Sequence, residues 1–231
     1  MAVLKLHSAS KSFRGKNVLD HIGFDLKTGE VLGLFGRNGS GKSTLLKILF
    51  GTLKSKRIKL EIDGEPFRGS DIIKKQKIGY LPQFSFLPQN CPVRKIIPRF
   101  FPEAEDQDRI FYDPGIARID DRKINQLSEG ERRYLELLLL GNLDHPFLML
   151  DEPFSMVEPL YAERINAFIV KLKEKKGIIL TDHYYENVWD VSTRNMVLTN
   201  SKLHTITQKK ELGEMGYLKR KQQNLKQNAK R

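Results

Sequence analysis

The sequence predicts an α/β fold: a mainly parallel sheet, with an antiparallel β subdomain and a short helical subdomain attached to it. Three observations carry this. Short apolar runs (EVLGLF at 30–35, FLMLDE at 147–152, GIILTDH at 177–183) alternate with helix-periodic stretches, as strands covered on both faces do. Residues 1–33 instead alternate apolar and polar in short pieces such as VLKLHSASKSF and IGFDL, the signature of antiparallel strands. Six of the ten prolines fall between Pro82 and Pro114. Each interior proline costs a helix about 3 kcal/mol, so that region is expected to hold only short helices and loops.

Taken in order, the antiparallel pieces of residues 1–33 lead into the strand EVLGLF, a glycine-rich loop and the helix KSTLLKILF. KRIKLEIDG is a second β segment, ended by the Asp63-Gly64 turn. Beyond the proline-rich lobe, ERRYLELLLLGNL is helical, and Ser128 with Glu131 three residues later forms a capping box at its start. FLMLDE is a buried strand ending in acid, LYAERINAFIVKLKEKK an amphipathic helix, GIILTDH another buried strand, and MVLTNSKLHTI a hairpin.

The chain of 231 residues is long enough for a substantial core, and its 39% hydrophobic and 29% charged content reads as soluble and globular. The single cysteine, Cys91, excludes an internal disulfide framework and fits a reducing compartment. The first residues lack the continuous apolar core of a signal peptide, and no run approaches the roughly 18 apolar residues of a membrane span. A cytoplasmic protein is expected. The formal net charge of +12 raises nucleic acid or an anionic membrane surface as partners, but half of the excess sits in residues 215–231, with six Lys or Arg and no acid. That stretch reads as a solvated terminus or as a polybasic patch for anionic lipid.

GRNGSGKST, residues 36–44, fits the phosphate-binding pattern G-x-x-x-x-G-K-[ST] at Gly36, Gly41, Lys42 and Ser43. The residue types follow from the task. Glycines let the backbone N–H groups of Arg37, Asn38, Gly39, Ser40 and their neighbours as far as Thr44 converge on a phosphate, and the helix KSTLLKILF adds its positive end. Lys42 adds a cation, and Ser43 a hydroxyl ligand for Mg²⁺. FLMLDE carries Asp151 to the carboxyl end of a strand, where it supports Mg²⁺, and Glu152 beside it is placed to act as general base. A P-loop NTPase core that binds ATP with Mg²⁺ is the expectation.

Further motifs narrow the class. LSEGE at 127–131, YLPQ ending in Gln83, TDH ending in His183, and Phe13 with Val18 stand around the phosphate loop and FLMLDE in one order along the chain. In that order the sequence resembles the ATP-binding cassette (ABC) family of ATPases over essentially its whole length, although the lobe between Gln83 and Leu127 is short for the family. GYLPQ, SEGERR and LDEPF look most like bacterial cassettes of lipopolysaccharide export and branched-chain amino-acid uptake. The resemblance implies roles. Phe13 stacks on adenine with Val18 close by, although alone it reads as a packed β residue. Gln83 senses Mg²⁺ and the attacking water. His183 contacts the γ-phosphate. Ser128, the Gly130 backbone and Glu131 form the signature turn, which meets ATP held by a second, head-to-tail cassette. It also implies a division into a nucleotide-binding core with its β subdomain at 1–82 and 141–213, a helical subdomain at 83–140 and a basic tail at 214–231.

By the same resemblance the partners are a second cassette, identical or not, and separate integral membrane subunits, with the chain peripheral to the inner face of the cell membrane. Three positions depart from the family pattern: Glu129 replaces a glycine and Glu131 a glutamine in the signature, and Glu158 replaces an aspartate at the subunit contact. Glu129 puts a carboxylate beside an anion site, so its side chain should point away from the phosphate. The alternative is a soluble cassette ATPase acting on nucleic acid or the ribosome. Nucleic acid is the less expected partner, because no long heptad insertion or cysteine pair accompanies the single cassette. A P-loop kinase would give Ser128 and His183 no role.

Overall fold

The computed structural model describes residues 1–67 and 69–217. The polybasic run after Tyr217 lies outside the described residues. Two sheets form. The first is antiparallel, with β1 (Val3–Phe13), β2 (Lys16–Lys27), β4 (Arg57–Ile62) and β5 (Glu65–Phe67) in the order β2-β1-β4-β5. Its alternating pattern buries Leu4, Leu6, Ile22, Phe24, Leu26, Leu60 and Ile62 on one face.

The second sheet contains β3 (Val31–Phe35), β6 (Ile78–Leu81), β7 (Phe147–Asp151), β8 (Gly177–Thr181), β9 (Arg194–Thr199) and β10 (Lys202–Ile206). Their order is β10-β9-β3-β8-β7-β6, parallel except for β10. All five residues of β3, β7 and β8 are buried. Successive side chains point to opposite faces, so Leu148, Leu150, Ile178 and Leu180 join one core while Phe147, Met149 and Ile179 join another. The second core is closed by the antiparallel sheet and by α1 (Lys42–Phe50). The first is closed by α5 (Glu129–Asn142), α6 (Pro159–Lys173) and α7 (Tyr185–Val191), and it continues into residues 93–140.

The proline-rich stretch folds as α3 (Val93–Phe100) and α4 (Ala104–Phe111), eight residues each, with Pro98 inside the former. Ile96, Ile97, Ile110, Ile116 and Ile119 tie it to the core. The β9–β10 hairpin turns through Asn200 and Ser201, both at positive φ, as a two-residue hairpin turn requires. Among the described residues, several short elements escape the sequence reading: β5, α2 (Gly69–Lys74), β6, the 3-10 turn Ile124–Gln126, α7 and α8 (Lys209–Glu214). Among the described residues no helix is long and apolar enough to cross a membrane.

Candidate nucleotide site

Strand order places the site. β3, β8, β7 and β6 lie side by side and parallel, so the segments leaving their carboxyl ends emerge together. Those segments carry the phosphate loop, His183, Glu152 and Gln83. A cleft of about 450 Å³ opens there. Its phosphate end is Asn38, Gly39, Gly41, Lys42, Ser43 and Thr44, its far wall Gln83, Glu152 and His183, and its mouth Phe13 and Val18. Every one of these is a residue the sequence singles out.

Within the loop Ser40 N donates to Arg37 O at 3.0 Å, and no side chain caps the helix that follows. Gly41 caps α1 at φ 110° with no side-chain hydrogen bond, and a Cβ there would lie 2.7 Å from Val18 Cγ1. Gly36 is equally committed, since a Cβ would meet Leu198 O at 2.6 Å. The Lys42 ammonium is 6% exposed and bonds carbonyls of its own loop, Gly36 O at 2.7 Å and Arg37 O at 3.4 Å. Burial pulls its pKa down, opposed by the carboxylates of Glu152, Asp151 and Asp182. A buried cation held only by carbonyls is ready for phosphate oxygens.

Asp151 is 1% exposed. Its Oδ1 accepts from Ser43 Oγ at 3.0 Å and its Oδ2 from the Tyr80 hydroxyl at 3.0 Å. Burial raises its pKa, and these two hydrogen bonds oppose the rise. Glu152 sits at φ 56°, a left-handed position uncommon for a non-glycine residue and, away from turns, often seen at functional sites. Both its oxygens are engaged: Gln83 Nε2 donates to Oε2 at 2.9 Å, and His183 Nε2 lies 2.9 Å from Oε1. The turn before His183 is fixed by fully buried Asp182, which accepts from Phe154 N at 2.8 Å and Tyr184 N at 3.0 Å. His183 lines the cleft that holds the phosphate loop and faces the glutamate there.

Other predicted residues sit elsewhere. Gly36, Arg37 and Ser40 line a second cavity of about 390 Å³ behind the loop, where Arg37 Nε donates to Gly216 O. Phe13 is 44% exposed with the Lys11 ammonium 4.8 Å from its ring, so the packed-residue reading of Phe13 is wrong. Ser128, Gly130 and Glu131 line neither cavity. They form the predicted capping box: Glu131 N donates to Ser128 Oγ at 3.2 Å, and Ser128 N to Glu131 Oε2 at 2.7 Å. Gly130 has a packing reason as well, since a Cβ would come within 3.1 Å of Tyr161. Glu129 is engaged by Arg132.

Three residues of this neighbourhood went unread in the sequence: Tyr80, Arg133 and Glu136. Arg133 and Glu136 are 3% and 1% exposed. Two opposite charges three apart, leading into the leucine run at 137–140, are the signal that marks them.

Relatives carry the same plan. The family model described as ABC transporter matches residues 19–155, more than half of the chain. The chain is 28% identical to the lipopolysaccharide export system ATP-binding protein LptB of Haemophilus influenzae over 88% of itself and 89% of that protein. It is 30% identical to an uncharacterized ABC transporter ATP-binding protein of Methanocaldococcus jannaschii, over 86% of itself and 75% of the relative. A solved ATP-binding subunit of an ABC transporter superposes with TM-score 0.80 at 22% identity, covering 93% and 94% of the two chains. A free phosphate loop, a buried aspartate behind it, a glutamate facing the cleft and this match thus converge on one conclusion: the chain belongs to the ATP-binding cassette family and is an ATPase.

Proposed function

We propose that this chain is the ATP-hydrolysing subunit of an ABC transporter, working as a head-to-tail cassette dimer at the inner face of the cell membrane and driving separate membrane subunits. The observation that carries the chemistry is Glu152, 6% exposed, aimed into the cleft and held on both oxygens by Gln83 and His183. Held there, its carboxylate accepts a hydrogen bond from water, takes the proton as the oxygen attacks the γ-phosphorus, and the bond to the β-phosphate breaks. Lys42 and the open N–H groups of the loop hold the phosphates. Phe13 offers its ring to the adenine with Val18 beside it.

Ser43 and Asp151 suit Mg²⁺. Both present hard oxygens, 3.0 Å apart, and Asp151 is a buried carboxylate whose partners are neutral hydroxyls, a charge that a cation would balance. Bound there, Mg²⁺ neutralises phosphate oxygens; Gln83, already on Glu152, would sense both it and the water.

The dimer reading rests on the turn at Ser128 and Gly130, which lies outside the cleft of its own chain. A solved cassette with TM-score 0.73 is described as a dimeric post-hydrolysis state bound to ADP and Pi. Residues 1–82 and 141–213 act in this reading as the nucleotide core, and 83–140 as the helical lobe that carries the signature turn. Glu152→Gln keeps the shape of the side chain and one of its two acceptor oxygens, and removes the base. Expected are retained ATP binding, hydrolysis slowed about 10²–10⁴-fold, and an ATP-dependent dimer in size-exclusion chromatography. Monomer alone, at saturating ATP, would count against the dimer.

A further inference from the structure

The loop that carries Gln83 and the strand end that carries Glu152 are both held by one buried ion pair on α5. Arg133 Nη1 donates to Pro82 O at 2.5 Å, immediately before Gln83. Its Nη2 donates to Asp151 O at 2.6 Å and to Glu152 O at 3.2 Å. Glu136, 3.3 Å from Arg133 Nη1, accepts from Phe86 N at 3.2 Å through its other oxygen. The Gln83 loop is therefore gripped on both sides, at Pro82 and Phe86, by side chains one helical turn apart. The same guanidinium takes the two carbonyls flanking the turn into Glu152, whose φ of 56° needs surroundings that over-determine it.

We infer that Arg133 and Glu136 are positioning residues for hydrolysis: together they set the placement of Gln83 against Glu152, so that the signature helix α5 and the hydrolytic groups of one subunit move as a unit. Planarity is what the task requires. A guanidinium directs several N–H donors in a fixed fork to carbonyls in two chain segments, which the single ammonium of a lysine cannot do. α5 starts at the signature turn, so a nucleotide seated there in trans would act on Gln83 and Glu152 of the same chain through this clamp. The inference rests on the cassette-ATPase reading above.

The test is the full-length double variant Arg133→Met/Glu136→Leu, which replaces the pair with apolar side chains so that no unpaired charge is left buried. Expected is a kcat reduced about 100-fold, the scale of a misplacement of roughly 1 Å, with KM and the affinity for a fluorescent ATP analogue unchanged. A role in folding alone would lower the melting temperature and leave kcat of the folded fraction at the wild-type value. Wild-type kcat in the folded double variant overturns the inference. Should that variant not fold, Arg133→Lys decides: it keeps the charge and loses the fork, so reduced kcat at unchanged KM supports the clamp and wild-type kcat overturns it. Absence of ATPase in the wild-type protein is a different failure, that of the functional reading.

Discussion

Two helix N-termini in this molecule point toward phosphate chemistry, and they are built in opposite ways. α1 begins at Gly41, with no side-chain cap and no acid in its first turn. α5 begins at Ser128, with a complete capping box and two acids, Glu129 and Glu131, in its first turn. Orphan N–H donors and a bare dipole make α1 an anion site by itself. α5 has committed the N–H groups of Ser128 and Glu131 to its own side chains, and its carboxylates are paired with Arg132 and Arg122. The difference teaches that the signature turn is capped by its own side chains, whereas the phosphate loop is not. By the dimer reading proposed above, the turn gains its ligand from another chain.

The largest effect should come from breaking the two ends separately. Lys42→Ala removes the cation from the loop, and Ser128→Arg fills the signature turn. Each variant alone should lose ATPase activity. Mixed, they should regain it, because a head-to-tail pair then contains one site with an intact loop from one chain and an intact turn from the other. Steady-state phosphate release from the mixture measures this. If two folded, pairing variants stay inactive when mixed, the turn does not serve a neighbour.

A middle-sized effect lies behind the loop. Tyr80→Phe deletes the hydroxyl on Asp151 Oδ2 and leaves a buried carboxylate oxygen without its donor. The cost is about 1–3 kcal/mol. Expected are a lower melting temperature and a higher Mg²⁺ concentration for half-maximal nucleotide binding, read by calorimetric titration. An unchanged Mg²⁺ requirement would show that Ser43 alone orients the aspartate.

How much of this was legible differs between the two regions for a physical reason. The phosphate loop is contiguous, and each residue type in it answers to one demand of the ligand, so GRNGSGKST spelled out its chemistry. Asp151 and Glu152 were legible because an apolar strand must end where the ligand sits. Tyr80, Arg133 and Glu136 act through carbonyls and carboxylates far off in the chain, and nothing in their own neighbourhoods states the distance partner. β6 and α7 are too short, at four and seven residues, for periodicity to declare them. The place of His183 in the cleft was legible from the TDH motif, but its contact with Glu152, which stands 31 positions back on another strand end, was not.

The smallest effect probes the signature carboxylate itself. Glu129 and Arg132 are partly exposed, so their pair is worth about 0–1 kcal/mol. Glu129→Gly should therefore leave the melting temperature nearly unchanged. It frees the Arg132 guanidinium and removes one negative charge from a helix N-terminus, a change of about 0.3–1 kcal/mol for an anion docking there. By the dimer reading, the ATP concentration that half-saturates dimer formation should fall up to about fivefold. High salt should shrink the difference, because the charge is screened within about 10 Å at 0.1 M. An ATP dependence that does not move at low salt would mean that Arg132 already cancels the carboxylate, and that Glu129 costs the signature turn nothing.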